Sequence, residues 1–217
     1  MARTITVRGK ANLSVSPDTI ILSLNFHEVE DEYNFARELS LSVYNQVLKV
    51  AENNGLTVKD VKTVSYSIES EYEDVRIRDK WTKQFIGYGL RHKIKILLDI
   101  NDALVLGNII MGVDKCKIKP KVSIAYTVKD TTDAKEQLLA LAVKSSQSKA
   151  IAITTAAGVE LGDVQSIDYS WREMHIISER HDMVYGASLC EESSPAMYFT
   201  PEDIDISDSV TVIWSIK

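Results

Sequence analysis

The sequence predicts an α+β protein in which long helices pack on one face of a mixed or antiparallel sheet. Alternating apolar residues mark several strands, and two long stretches place apolar residues at helical spacing. In addition, a pattern recurs along the chain, with Gly158 standing 103 positions after Gly55. Each copy has the order strand, helix, strand, strand, so we expect duplicated β-α-β-β units.

The repeat is clearest at the end of each helix. Residues 53–67, NNGLTVKDVKTVSYS, align without a gap with residues 156–170, AAGVELGDVQSIDYS. The two matched glycines stand where a helix C-terminus commonly requires a left-handed residue. The repeat covers roughly residues 9–100 and 112–217, and no linker rich in proline, glycine or serine separates the copies. We therefore expect a single domain over residues 1–217.

Each copy begins with two predicted strands. The segments GKANLSVSP, residues 9–17, and GVDKCKIKP, residues 112–120, predict short strands that end at a proline. The strand that follows the first proline places four apolar residues on one face: Ile20, Leu22, Leu24 and Phe26. Its counterpart, KVSIAYTVKD at residues 121–130, places Val122, Ile124 and the later Val128 less regularly.

Each copy continues with a long amphipathic helix. The first has the apolar stripe Phe35, Leu39, Val43, Val47 and Val50, and the second has the stripe Leu138, Ala142, Ala150 and Ile153. A short helix is also predicted in NDALVLGNIIMGV, residues 101–113.

Two strands close each copy. In the first of them, one face is expected to be buried: Val64, Tyr66 and Ile68 in one copy, and Ile167, Tyr169 and Trp171 in the other. The last strands are GYGLRHKIKILLDI, residues 87–100, and DSVTVIWSIK, residues 208–217. Alternation places apolar residues on one face of each: Leu90, Ile94, Ile96 and Leu98 in the former, and Val210, Val212, Trp214 and Ile216 in the latter. The connections between them are residues 72–85 and a long insertion at residues 172–204, which predicts either a binding element or a flexible excursion.

Composition and charge exclude several classes of protein. A net charge of -6 and a pI near 5.3 disfavour nucleic-acid binding, which needs a basic surface. No run of eighteen apolar residues is present, so we expect a soluble protein without a transmembrane segment. The chain shows no signal peptide, which predicts a cytoplasmic location. The alternative is a periplasmic or other extracytoplasmic location, if Met1-Ala2 replaced a leader that had been removed.

No catalytic or cofactor-binding motif is found, so we expect no enzymatic activity and no cofactor. His175 and His181 are candidates for a metal site, although their spacing is more typical of a solvated polar loop. Cys190, near His181, is the one candidate nucleophile. Cys116 and Cys190 are expected to be unpaired structural thiols.

Two surfaces are candidates for binding. Four lysines alternate along KCKIKPK, residues 115–121, which favours protection of a sheet edge, with an anion or membrane surface as the alternative. Apolar residues in otherwise polar connections are typical of protein interfaces. The candidates of this kind are Trp81, Met197, Tyr198 and Phe199.

The chain resembles the SIMPL-domain family, formerly DUF541. The resemblance lies in ITVRGKANLSVSPDTIILSL, AENNGLTVKDVKTVSYSIESEY, IGYGLRHKIKILL, AVKSSQSKAIAITTAAGVELGDVQSI and VTVIWSI, which together cover most of the chain. It implies strands with helices on one side, membership among bacterial proteins linked to oxidative-stress defence, and kinship with a periplasmic immunogenic protein that forms a large ring-like oligomer. It implies no catalytic residues.

The leading hypothesis is therefore a non-enzymatic, self-associating bacterial protein that acts through contacts with itself or with another protein. Exposed strand edges and apolar loop residues offer two common routes to such contacts. The alternative is a small-molecule or metal-binding stress protein that uses the connection at residues 172–204.

Overall fold

A computed structural model describes residues 3–77, 80–169, 176–183 and 200–217. The described elements, in chain order, are the strands β1 (Thr4–Val15) and β2 (Thr19–Glu30), the helix α1 (Tyr33–Asn53), the strands β3 (Val61–Ile77) and β4 (Lys80–Asp99), the helix α2 (Ala103–Val113), the strand β5 (Lys121–Thr127), the helix α3 (Thr132–Ala156), and the strands β6 (Leu161–Asp168), β7 (His181–Met183) and β8 (Ile204–Ile216).

The chain is organised in two compact units. The central unit comprises Asp18–Tyr126 and Glu179–Thr200. The terminal unit comprises Met1–Pro17, Thr127–Ser178 and Pro201–Lys217. Each unit has its own sheet and its own apolar core. The α+β class predicted from the sequence is confirmed, but the strands form two sheets where the sequence predicted one.

The central unit contains a five-stranded sheet in the order β3-β4-β2-β5-β7. Strand β4 pairs antiparallel with both β2 and β3. Helix α1 packs against these three strands and against α2. The predicted inward faces of β2 and β4 are confirmed, because their alternating apolar residues are all buried: Ile20, Leu22, Leu24 and Phe26 in β2, and Leu90, Ile94, Ile96 and Leu98 in β4.

The terminal unit contains a three-stranded sheet in the order β1-β8-β6, and helix α3 packs on all three strands. Its central strand β8 buries Val210, Val212 and Trp214 as the alternation predicted. Gly9 is required where α3 meets β1, because a Cβ atom at this position would overlap the Ala142 carbonyl oxygen. The N-terminal strand thus shares a sheet with the C-terminal strand.

Both long helices are present, but their buried faces differ from the predicted stripes. Phe35 and Ile153 are exposed, so these two assignments were wrong. Small residues take the places against the sheets: Ala36, Ser40 and Ala51 in α1, and Ala134, Ser146 and Thr154 in α3. In α3 the buried residues recur every four positions, which brings a row of mostly small side chains against the strands.

Several strand assignments were also wrong. Val64, Tyr66 and Ile167 are exposed. Val64 falls at a register shift between Thr63 and Ser65, and α3 packs mainly on β1 and β8, so it covers little of β6. Residues 112–120 do not form a strand, since α2 continues to Val113 and turns follow it. Residues 72–85 are not a connection, because the described residues in this range belong to β3 and β4.

The two long helices end at the repeated glycines, as predicted. Gly55 and Gly158 have φ values of 83° and 69°, in the left-handed region that glycine tolerates best. In both places the two residues after the helix donate backbone hydrogen bonds to its last turn. The origin of the chain by duplication stays a prediction.

Among the helices of the described residues, none is both long enough and apolar enough to cross a membrane.

Candidate functional site

The candidate site is a two-stranded ribbon that extends from the sheet of the central unit. Strand β4 pairs with β2 only as far as Tyr88, which lies opposite Glu30 at the end of β2. Strands β3 and β4 continue to pair with each other until Ile77 and Lys80. We call residues 72–77 and 80–86 the arm. Within the described part of the chain, the arm has no third strand on either edge.

A β-bulge marks the base of the arm. The register shifts after the pair Glu71 and Gly87, because the next pair is Tyr72 with Phe85. Gly87 has a φ of 142°, and a Cβ atom there would lie 2.6 Å from the Glu30 carbonyl oxygen. Glycine is therefore required at the point where β4 leaves β2, and the bulge bends and twists the strand there.

One face of the arm is aromatic. Residues 81, 83 and 85 of β4 alternate onto the same face, and their partners in β3 are Arg76, Asp74 and Tyr72. Trp81 is 72% exposed, Tyr72 is 58% exposed and Phe85 is 45% exposed. This face therefore combines three exposed aromatic side chains with three charged ones, on a ribbon that lacks a core of its own.

Aromatic contacts join the arm to the body of the central unit. The ring centroids of Tyr72 and Phe85 are 5.7 Å apart, and those of Phe85 and Tyr88 are 5.4 Å apart. Tyr88 in turn lies 5.8 Å from Tyr33, the first residue of α1. All three pairs meet edge to face, a favourable geometry for aromatic rings. The base of the arm is therefore held in a defined direction.

The two strands of the arm carry opposite charge. In the β3 part of the arm, residues 72–77 include two acidic side chains, Glu73 and Asp74, and one basic side chain, Arg76. In β4, residues 80–87 include two lysines and no acid. Asp74 lies directly opposite Lys83. The β3 strand of the arm thus has a small acidic excess, whereas the β4 strand carries two lysines.

Ion pairs fix the side chains below the arm. The Glu71 carboxylate accepts a hydrogen bond from the Arg91 guanidinium and lies 3.2 Å from His27 Nε2. Arg91 also lies 3.8 Å from a carboxylate oxygen of Glu69. The pairs are mostly exposed, so they orient these side chains more than they stabilise the fold.

A second polar group lies inside the central unit and was missed by the sequence analysis. His92 is buried, with Ser40 Oγ 3.0 Å from Nδ1 and Thr63 Oγ1 3.1 Å from Nε2. Tyr44 stacks on the ring and Tyr66 meets its edge. Burial lowers the pKa of His92 below its ordinary value of 6.5, so the neutral ring is favoured.

The His92 group does not form a catalytic site in the described structure. Ser40 is buried in the helix-sheet interface, where no substrate has access to its hydroxyl. Both hydroxyl groups instead satisfy the two ring nitrogens, which is what a buried imidazole needs. A signal was available in the sequence, because His92 has the same strand parity as Leu90 and Ile94.

The structure describes only some of the predicted site residues. Trp81 lies in the arm, 72% exposed. Met197, Tyr198 and Phe199 lie outside the described residues, as do His175 and Cys190. His181 is exposed in β7, opposite Ile124. Within the described ranges, no group of three His, Cys, Asp or Glu side chains is arranged to hold a metal ion, and the metal hypothesis stays a prediction.

The lysine-rich segment differs from its prediction. Residues 115–119 form no strand, so their lysines do not protect a sheet edge. The lysines do alternate with buried residues, because Cys116 and Ile118 face the core while the lysines are exposed. Lys119 pairs with Asp114 at 3.0 Å, and Lys121 pairs with Asp182 at 2.8 Å. Burial also raises the pKa of the Cys116 thiol.

A search of curated proteins gives no match to this sequence. A family model described as SIMPL, protein of unknown function (DUF541), matches residues 5–214, nearly the whole chain. The match covers both units and includes the arm, so the chain belongs to the SIMPL (DUF541) family.

Proposed function

We propose that this protein is a non-enzymatic interaction protein that associates with further copies of itself through the arm. The observation that carries the proposal is the ribbon itself, which has two strands, an exposed aromatic face and no third strand within the described residues. Its role is association rather than chemistry.

A ribbon of this kind gains stability when another strand joins it. A two-stranded hairpin is marginally stable in water, and its outer backbone groups can pair with another strand. Addition of a strand from a second chain would satisfy those backbone groups, while Trp81 and Tyr72 would be removed from water. Large aromatic residues are also the residue type that most often carries binding energy in protein interfaces.

The resemblance to the SIMPL family supports a further part of the proposal, that the contact serves bacterial oxidative-stress defence. A strain that lacks the gene should be sensitive to peroxide. The wild-type gene should restore growth, and a gene without the arm should not. Equal recovery by both genes would separate the arm from this role.

Multi-angle light scattering at several protein concentrations tests the self-association. The wild-type protein should increase in mass as its concentration rises. Deletion of residues 72–85, with an Asn-Gly turn in their place, should leave a monomer, because β3 and β4 still pair below the bulge. Hydrogen exchange in β2 and α1 should show that the central unit remains folded.

A pair of point variants assigns the contact to the aromatic face. Trp81→Thr keeps strand propensity but removes the indole, and it should weaken association by roughly tenfold or more. The matched control is Ile167→Thr, an exposed strand residue in the terminal unit. A monomeric wild-type protein would contradict the proposal, and weakening by Ile167→Thr alone would place the contact on β6.

A further inference from the structure

A row of basic side chains lies on the face of the central sheet that α1 does not cover. The residues of β4 alternate between the two faces, and Ile94 and Ile96 are buried on the α1 side. The residues between them point to the other face, and they are Arg91, Lys93 and Lys95. Consecutive members of this row are about 7 Å apart, the length of two residues in an extended strand.

The neighbouring strands add a further lysine and short polar side chains. In β3, Lys62 lies directly opposite Lys95, and Ser65 lies opposite Lys93. In β2, Asn25 lies opposite Lys93 on the other side. We call Lys62, Lys93 and Lys95 the lysine cluster. Lys62 is exposed and the other two are half-buried, with small hydrogen-bonding side chains beside them.

The carboxylates around the row are engaged elsewhere. At the arm end, Arg91 is held by the two glutamates described above. At the other end, the carboxylates of Asp60 and Asp99 accept hydrogen bonds from backbone amides of their own turns. In the part of the chain that the structure describes, no ion pair involves a residue of the lysine cluster. Positive charge is therefore concentrated there, although the chain as a whole has a net charge of -6.

This concentration of charge opposes the stability of the sheet. Like charges directly opposite one another destabilise a strand pair, and Lys62 and Lys95 are such a pair. Lys93 adds to the repulsion from the next outward position along β4. Features that work against local stability are expected at functional sites, where a ligand can compensate for them. An anion bound across the cluster would remove the repulsion.

We propose that the lysine cluster binds a linear phosphate chain of the kind found in inorganic polyphosphate. Ammonium groups are compact charges that suit phosphate oxygens, and a chain with a charge on every unit meets lysines at this spacing in any register. Among the described residues of β2, β3 and β4, the outward positions around the cluster include no Phe, Tyr or Trp on which a nucleic-acid base could stack. Strand β4 is also paired on both sides, so a peptide on this face would gain no backbone pairing.

Isothermal titration calorimetry of the intact chain with short-chain inorganic polyphosphate tests the proposal. Lys93→Gln and Lys95→Gln should each weaken binding roughly fivefold, the contribution of one lysine beside an anionic surface. The logarithm of the affinity should fall linearly with the logarithm of the salt concentration, and each substitution should reduce this slope by about 1. Lys93→Arg keeps the charge and should bind almost as tightly as the wild type.

Matched controls remove a lysine from other surfaces. Lys49→Gln in α1 and Lys135→Gln in α3 change the net charge equally at exposed positions, and they should leave the affinity unchanged. Deletion of residues 72–85 should also leave it unchanged, which separates this surface from the arm. Hydrogen exchange in β4 should show that each variant keeps the central sheet.

Three results would overturn the proposal. The first is a lack of polyphosphate binding at low salt, and the second is equal weakening by Lys49→Gln and Lys93→Gln. The third comes from the same titration with oligothymidylate and with poly-glutamate. Tighter binding of either polymer than of polyphosphate would assign the lysine cluster to nucleic acid or to an acidic protein.

Discussion

Removal of the Ser40 hydroxyl should destabilise the central unit by leaving a buried ring nitrogen without a partner. Ser40 Oγ lies 3.0 Å from His92 Nδ1, and both residues are buried. In Ser40→Ala, water cannot easily replace the hydroxyl at this place between α1 and β4. A buried polar group that loses its partner costs about 1–3 kcal/mol, and we expect this loss in the free energy of unfolding.

Ser42→Ala is the matched control for this measurement. Ser42 lies in the same helix, is only partly buried, and makes no contact with His92 among the described hydrogen bonds. Both substitutions raise helix propensity by the same amount, a few tenths of a kcal/mol. The difference between the two variants therefore isolates the lost contact with the imidazole.

Native-state hydrogen exchange is the appropriate assay, because it reports the stability of the central unit separately from that of the terminal unit. The slowest amides of α1 and β4 should lose about 1–3 kcal/mol of protection in Ser40→Ala relative to Ser42→Ala. Thr63→Val should cost less, since Thr63 is exposed and water can reach Nε2. Equal protection in the two serine variants would refute the reasoning.

Three further outcomes follow from particular residues. Burial holds the pKa of His92 below 6.5, so protonation favours the unfolded chain. The free energy of unfolding, measured in urea, should therefore fall as the pH decreases below 6.5. His92→Gln should lack this pH dependence. Gly87→Ala should loosen the arm, and hydrogen exchange in the arm should become faster. Gly55→Ala should lower the free energy of unfolding by only about 1 kcal/mol, because no atom lies within 4 Å of the added Cβ. Cys116 is buried and its thiol has a raised pKa, so it should react with a maleimide slowly in the native protein and rapidly in urea. Mass spectrometry of the peptide that contains Cys116 measures the labelling. Fast labelling of the native protein would contradict the burial of Cys116.

The sequence predicted the buried faces of the interior strands correctly. Strands β2 and β4 lie inside the sheet, so their period-two apolar faces are buried as the alternation indicated. Strand β3 has a similar pattern, yet Tyr66 in this edge strand is 48% exposed. Alternation therefore predicts which residues share a face, whereas burial of that face depends on what packs on it: β1 is also an edge strand, yet it buries Val7 and Ala11 against α3.

The candidate site was predicted in part. Trp81 was identified from its polar surroundings, and the structure places it on the exposed face of the arm. The arm itself was mistaken for a connection, because residues 72–85 are too polar to show a buried face. Backbone pairing forms this ribbon, and a pattern of apolar residues carries little information about backbone pairing.

What the sequence determined by itself is the α+β class, the two long helices, their ends at Gly55 and Gly158, and the family. Only the tertiary structure decided which strands pair, for example that β1 joins β8 at the far end of the chain. It also decided that β3 and β4 extend past the end of β2 and form the arm. The physical reason is that periodicity and turn chemistry act over a few residues, whereas strand pairing and burial depend on neighbours that are distant along the chain.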